Sequence, residues 1–213
     1  MMITMMSAPT HPVRSPLVSA IWRQRLFLLL IVACFAVPLA LSWWLVGDWR
    51  PGGSAQHGEL LDPAQPLEDL RFTSPQGQSL NVAAFQGFWV LIHAASAAEC
   101  PAPCQTALYD MRQVRLALGR DLERVKTLVL LDGSPTDELR QWLAAEHAEM
   151  AVGATDAATQ NRLNAVFPVP GQAGEWIYLV DPLGNLLMRY PVTVDPSGIL
   201  KDLKRLLRLS KIG

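Results

Sequence analysis

A run of 21 uncharged residues, LFLLLIVACFAVPLALSWWLV from Leu26 to Val46, constrains this chain more than any other feature. At about 1.5 Å per residue a helix of that length covers about 30 Å, the hydrocarbon thickness of a bilayer. A buried core helix does not need so long an uncharged run. A cleaved signal peptide has a shorter apolar core, about 7 to 15 residues, ending on small residues. This run ends in Trp43-Trp44-Leu45-Val46, with Trp49 close behind, where an interfacial aromatic belt belongs. Pro38 kinks such a helix without preventing it. Arg14, Arg23 and Arg25 precede the helix with no acidic residue among them, so the positive-inside rule places residues 1–25 in the cytoplasm and everything after Asp48 outside it. The expected layout is a cytoplasmic tail over 1–25, a transmembrane helix over 26–46, a Gly- and Pro-rich linker over 47–68, and one exported domain over 69–213.

With one segment in lipid, the remainder has the size of a single compact domain. Half of the residues are hydrophobic and 17% are charged, which excludes a disordered chain. The net charge of −1 and the lack of a Lys/Arg block between residues 26 and 200 argue against a nucleic-acid partner. Residues 48–198 hold 10 basic and 18 acidic residues, whereas Lys201, Lys204, Arg205, Arg208 and Lys211 make the end of the chain basic. Such an end is a solvated helix face or a contact for anionic headgroups.

Phe88 to His93 (FWVLIH) is a short apolar run of the kind buried on both faces of a sheet. A small-residue loop and the cysteines follow, then helical spacing from Pro103 to Leu118. Arg124 to Leu131 reads as a second strand ending in the turn residues Asp132-Gly133-Ser134-Pro135. Thr136 caps a helix that runs to His147, and a weaker helix covers Asp156 to Ala165. Strands over Trp176–Val180 and Leu186–Arg189 flank the loop Asp181-Pro182-Leu183-Gly184-Asn185. Ile199, Leu200, Leu203, Leu206 and Leu207 form the stripe of a last amphipathic helix. The order strand, helix, strand, helix, hairpin, helix predicts an α/β fold of thioredoxin-like topology.

Cys34 lies in the apolar run, which leaves Cys100 and Cys104 as the chemical pair. They flank Pro101-Ala102-Pro103 just beyond the carboxyl end of a buried strand, at a helix N-terminus that favours thiolate over thiol. Thiolate serves both metal ligation and thiol–disulfide exchange, and a purely structural bridge is the third reading.

FWVLIH, the Cys-x-x-x-Cys pair, YDMRQVRLALG, the strand ending LLD, and IYLVDPLGNLLMRYP together resemble the Sco (SenC) family of membrane-anchored, thioredoxin-fold copper chaperones for cytochrome c oxidase assembly. The chain is most similar to a short proteobacterial branch of Sco-like transmembrane proteins, and the likeness extends from the anchor through WRPGGSAQHGELL to the end. The resemblance implies copper as ligand, held by Cys100, Cys104 and a histidine. It also implies a bilayer anchor in the inner membrane, a periplasmic domain, and as partner a cytochrome c oxidase subunit or another copper or thiol assembly factor. The family's histidine aligns with Ala173, no histidine follows His147, and Gln105 stands where the family has proline. Gln172 and Glu175 offer only oxygen donors, a poor match for Cu(I).

His93, seven residues before Cys100, is the candidate for a substitute third ligand, against the plainer reading of a packed strand histidine. His147 reads as a helix cap, Asp132 as a turn residue, and His57 as part of the linker. Met1, Met2, Met5 and Met6 are cytoplasmic by topology and the other methionines are scattered, so there is no methionine copper box. Three functions are open: an oxidase assembly factor that handles copper or keeps thiols reduced, a general thiol–disulfide oxidoreductase of exported proteins, and a non-catalytic thioredoxin-like binding module.

Overall fold

The apolar run lies within a single helix, α1, Leu17–Asp48, which passes through Pro38 without interruption. Its stretch Trp22–Trp44 is 23 residues long, has no buried residue, and is a candidate membrane span. At about 1.5 Å per residue it covers about 35 Å. This is a computed structural model, and it describes residues 17–48, 56–67, 70–166 and 173–210. Arg14, Trp49, Gln172 and Lys211 lie outside the described residues. The chain forms two compact units, divided between Ser54 and Ala55.

The second unit is built on an eight-stranded sheet. In chain order its strands are β1 (Glu59–Pro66), β2 (Arg71–Thr73), β3 (Ser79–Asn81), β4 (Trp89–Ala95), β5 (Val125–Leu131), β6 (Ala151–Ala154), β7 (Trp176–Val180) and β8 (Asn185–Pro191). Its helices are α2 (Ala102–Ala117), α3 (Asp137–Glu146), α4 (Ala157–Val166) and α5 (Pro196–Leu209). The strand order is β1-β8-β7-β4-β5-β6-β2-β3, with β4, β5 and β6 parallel and β7 antiparallel to β4. This is the expected thioredoxin-like arrangement, a βαβ core followed by an antiparallel ending.

Side chains alternate across β4 as the pleat requires. Trp89 and Leu91 face one way, into a core completed by Ala107, Leu108 and Met111 of α2 and Ile199, Leu203 and Leu207 of α5. Val90, Ile92 and Ala94 face the other, against Leu67, Leu70, Phe72 and Leu163. Burial on this scale stabilises the fold by about 1.5–3 kcal/mol for each large apolar side chain. The stripe on α5 is the one the sequence predicts, and Lys201, Lys204, Arg205 and Arg208 are exposed on the opposite side. Thr136 caps α3 as expected, its hydroxyl accepting from the Leu139 N–H at 3.3 Å.

Four strands depart from the expectation. The stretch read as linker, 47–68, contains β1, which pairs antiparallel with β8. Two prolines and Asp62 hide it from a propensity reading; an edge strand tolerates them because its outer N–H groups need no partner. Its register shifts between Leu60 and Gln65. The hairpin β2–β3 and strand β6 are short and lack a β-branched run. Gly153 in β6 lets the Phe72 ring lie against the backbone, where any Cβ would collide with it.

The linker histidine also has a place. The Asp202 carboxylate, 3% exposed on α5, accepts from the backbone N–H of His57 at 2.8 Å and of Gly58 at 3.1 Å, and from the Tyr190 hydroxyl at 3.3 Å. The His57 Nδ1 lies 3.3 Å from its other oxygen. Close packing accompanies the polar contacts, since a Cβ at Gly58 would overlap the Tyr190 ring and one at Gly198 would overlap His57.

Candidate functional site

The loop leaving β4 carries the site, and its geometry begins at Asp132. At the end of β5, the Asp132 carboxylate accepts from the Ala97 N–H at 2.6 Å, and its own N–H donates to the Ala95 carbonyl at 3.2 Å. The Thr136 N–H donates to the Ala97 carbonyl at 3.1 Å. A residue read from sequence as turn chemistry thus fixes the segment that presents the cysteines.

Pro101 is the N-cap of α2, with φ −67° and ψ 172°, and Pro103 occupies the first turn, where a missing N–H costs nothing. Cys100 lies just outside the helix and Cys104 in its first turn. They form a disulfide with Cα atoms 5.2 Å apart, inside the usual range. The two sulfur-bearing residues are unequal. Cys104 is 5% exposed and packs in the core, whereas Cys100 is only partly buried. Gln105 donates from Nε2 to the Cys100 carbonyl at 2.9 Å, and its backbone N–H donates to the Pro101 carbonyl at 3.0 Å.

His93 is fully buried in β4, between Val129 of β5 and Ile177 of β7. By alternation it belongs to the α2 face of the sheet. Its Nδ1 is 3.0 Å from the Trp176 carbonyl, and Nε2 is buried without a hydrogen-bond partner. Burial pushes its pKa below the usual imidazole value, and the Trp176 carbonyl offsets only part of that. A neutral ring with its proton on Nδ1 fits these surroundings. Among the described residues no three His, Cys, Asp or Glu side chains are grouped to hold a metal ion.

Position 173 opens a short 3-10 turn, Ala173–Glu175, ahead of β7. This turn lies against β4 and α2, and a Cβ at Gly174 would stand 3.4 Å from the Ala94 carbonyl. The backbone therefore keeps the position next to the cysteine-bearing elements while the residue itself offers no donor.

His147 is the C-cap of α3, its N–H donating to the Leu143 carbonyl at 2.9 Å. Its ring is buried edge-on to Trp142, with centroids 5.0 Å apart. Burial first, then the Arg112 charge, lower its pKa, with Glu146 opposing them. The cap is thus made by the backbone N–H, and burial disfavours the charged form of the ring.

A cavity of about 220 Å³ opens beside Cys100, lined by Ala98, Glu99 and Gln105 on one side and Thr136, Glu138, Leu139 and Trp142 on the other. Sequence reasoning missed it, because α3 is remote in sequence from the cysteine loop.

Comparison with known proteins agrees with this geometry. The model of a family described as transmembrane-like, thioredoxin-like, C-terminal domain matches residues 89–210. No curated protein matches. Among solved structures, copper-bound ScoI from Bradyrhizobium japonicum is 22% identical over 67% of this chain and 98% of its own, with a TM-score of 0.52. Apo Sco1 from Thermus thermophilus is 19% identical over 73% and 99%, with a TM-score of 0.59. The thioredoxin domain of a thiol-disulfide oxidoreductase from Bacteroides vulgatus is 13% identical over 72% and 99%, with a TM-score of 0.52. At these identities the likeness is one of fold.

Proposed function

This chain belongs to the family of transmembrane-like, thioredoxin-like domains, and we propose that it is a membrane-anchored dithiol that reduces disulfide-bonded copper-site cysteines during cytochrome c oxidase assembly. The observation that carries the proposal is the asymmetric pair at the N-terminus of α2, one sulfur reachable and one buried. In the reduced state the helix N-terminus favours a thiolate at Cys100. Between Cys100 and Gln105 only Ala102 and Cys104 carry a backbone N–H, since Pro101 and Pro103 have none.

The Cys100 thiolate attacks one sulfur of the partner's disulfide. The partner's other sulfur leaves as thiolate and takes a proton from solvent. Cys104, its own proton passed to solvent, then attacks the Cys100 sulfur and expels the second partner thiolate. The partner gains two electrons and this domain ends as the Cys100–Cys104 disulfide. An upstream dithiol reductant of the same compartment returns it to the dithiol.

Copper is bound in the Bradyrhizobium ScoI structure. Here the donor set for it is incomplete: two sulfurs and an alanine at position 173, with no group of three His, Cys, Asp or Glu side chains among the described residues. Thiol exchange is the chemistry these residues perform unaided. Arg14, Arg23 and Arg25 support a cytoplasmic N-terminus and a periplasmic domain.

The test is the potential of the pair in glutathione buffers. A value near about −200 mV supports exchange, and one below about −300 mV marks an inert bridge and overturns the proposal. In cells, loss of the protein or the Cys100→Ser, Cys104→Ser double variant lowers the activity of a copper-containing terminal oxidase. Full oxidase activity in both strains under copper limitation overturns the assembly role.

A further inference from the structure

The cavity beside Cys100 is smaller than the roughly 300–1,000 Å³ of sites that enclose a cofactor or drug-sized ligand. At about 220 Å³ it has room for one or two side chains. It adjoins the sulfur that a partner must reach. Its apolar lining is Leu139, buried at the base of α3, and the half-buried Trp142. Two exposed carboxylates, Glu99 and Glu138, complete it, and among the described residues no Lys, Arg or His lines it. Among the described residues neither carboxylate makes an ion pair, whereas neighbouring Asp137 is paired with Arg140 at 2.9 Å. An acid at position 138 suits the first turn of α3 on dipole grounds. Glu99 lies in the loop ahead of α2, two residues before its N-cap Pro101.

Resting on the thiol-exchange reading, we infer that the groove formed by Glu99, Glu138, Leu139 and Trp142 receives an extended segment of the partner protein next to its reactive cysteine, and that this segment carries Lys or Arg together with an apolar side chain. Charge complementarity selects the basic residue, and the indole and Leu139 receive the apolar one. The basic residue brings the partner's sulfur to Cys100 before any covalent step.

The experiment uses the reduced full chain in neutral detergent and follows exchange with three probes: bis(2-hydroxyethyl) disulfide, and two octapeptides whose single cysteine is disulfide-linked to 2-mercaptoethanol. The peptides differ only in carrying Lys or Glu on either side of the cysteine. At low ionic strength the Lys peptide is expected to react about fivefold faster than the Glu peptide, the scale of two exposed ion pairs. The ratio falls toward one in high salt, and it inverts in the Glu99→Lys, Glu138→Lys double variant. Equal rates for the two peptides, alongside exchange with the small neutral disulfide, overturn this inference alone. Absence of exchange with all three probes overturns the thiol-exchange reading and this inference with it.

Discussion

Two polar centres of the second unit differ in how firmly they are held. Around Asp202, one buried carboxylate accepts from two backbone N–H groups and a tyrosine hydroxyl and also meets the His57 ring, tying the start of the domain to its last helix across 145 residues of sequence. Around Cys100, the supports stop short of the sulfur: Asp132 anchors Ala97, Gln105 binds the Cys100 carbonyl, and the side chain itself is left partly open. The first centre has almost every lone pair engaged and is suited to staying as it is. The second has a rigid frame around a group free to react, which is the division of labour that a reaction site requires.

The sharpest way to break this comparison is to exchange the consequences of mutation. Cys100→Ser should abolish disulfide exchange altogether while leaving the urea midpoint of the reduced protein nearly unchanged; a lower midpoint would mean that the Cys100 side chain is itself part of the packing. Asp202→Ala should do the reverse. It strands the buried Gly58 N–H and Tyr190 hydroxyl, each costing about 1–3 kcal/mol without a partner, for a total of about 2–6 kcal/mol, with the part-buried His57 N–H adding little. Urea unfolding reads this, and a shift under 1 kcal/mol would show that water replaces the carboxylate at no cost.

Gly58→Ala probes the packing of the same centre. Its methyl must displace the Tyr190 ring, with an expected loss of about 1–3 kcal/mol. His93 stands opposite Ile177 of β7, which in turn pairs with Tyr190 of β8. Its pKa is lowered in the folded state by burial, so the unfolded chain takes up a proton that the fold refuses. The stability that His93 contributes is complete above the unfolded value, near 6.5, and is lost as the pH falls below it toward the folded value. The drop in urea midpoint between pH 7.5 and 5.5 should narrow in His93→Leu, and an unchanged drop would assign it to other groups such as His147, which is shifted the same way. The smallest effect belongs to the cap of α3, where Thr136→Ala should cost about 1 kcal/mol.

What could be read from sequence follows the same divide. The cysteine site is local: a strand buried on both faces, two prolines and a helix start lie within 17 residues, from Phe88 to Cys104, and each leaves a mark on composition or periodicity. The Asp202 centre joins His57 to β8 and α5 across 145 residues of sequence, and nothing in the neighbourhood of either end signals the other. β1 carries prolines because it sits at an edge, and β6 needs Gly153 because of Phe72, so both were obscured by residues that their tertiary positions demand. His93 was open to two readings, ligand or packed strand residue. Only the register of β4 against β7, with the Trp176 carbonyl opposite Nδ1, shows where its ring is engaged.

The cysteines stand four positions apart, and both are held by the same loop and helical turn. In terms of effective concentration, Cys104 is therefore always within reach of any bond that Cys100 makes, and an intramolecular attack of this kind outruns one by free thiols at ordinary concentrations. A covalent complex with a partner would be short-lived in the native protein. It accumulates only when the second sulfur is removed, so a Cys104→Ser chain is the form in which the partner, whatever its identity, would remain attached long enough to be isolated and sequenced.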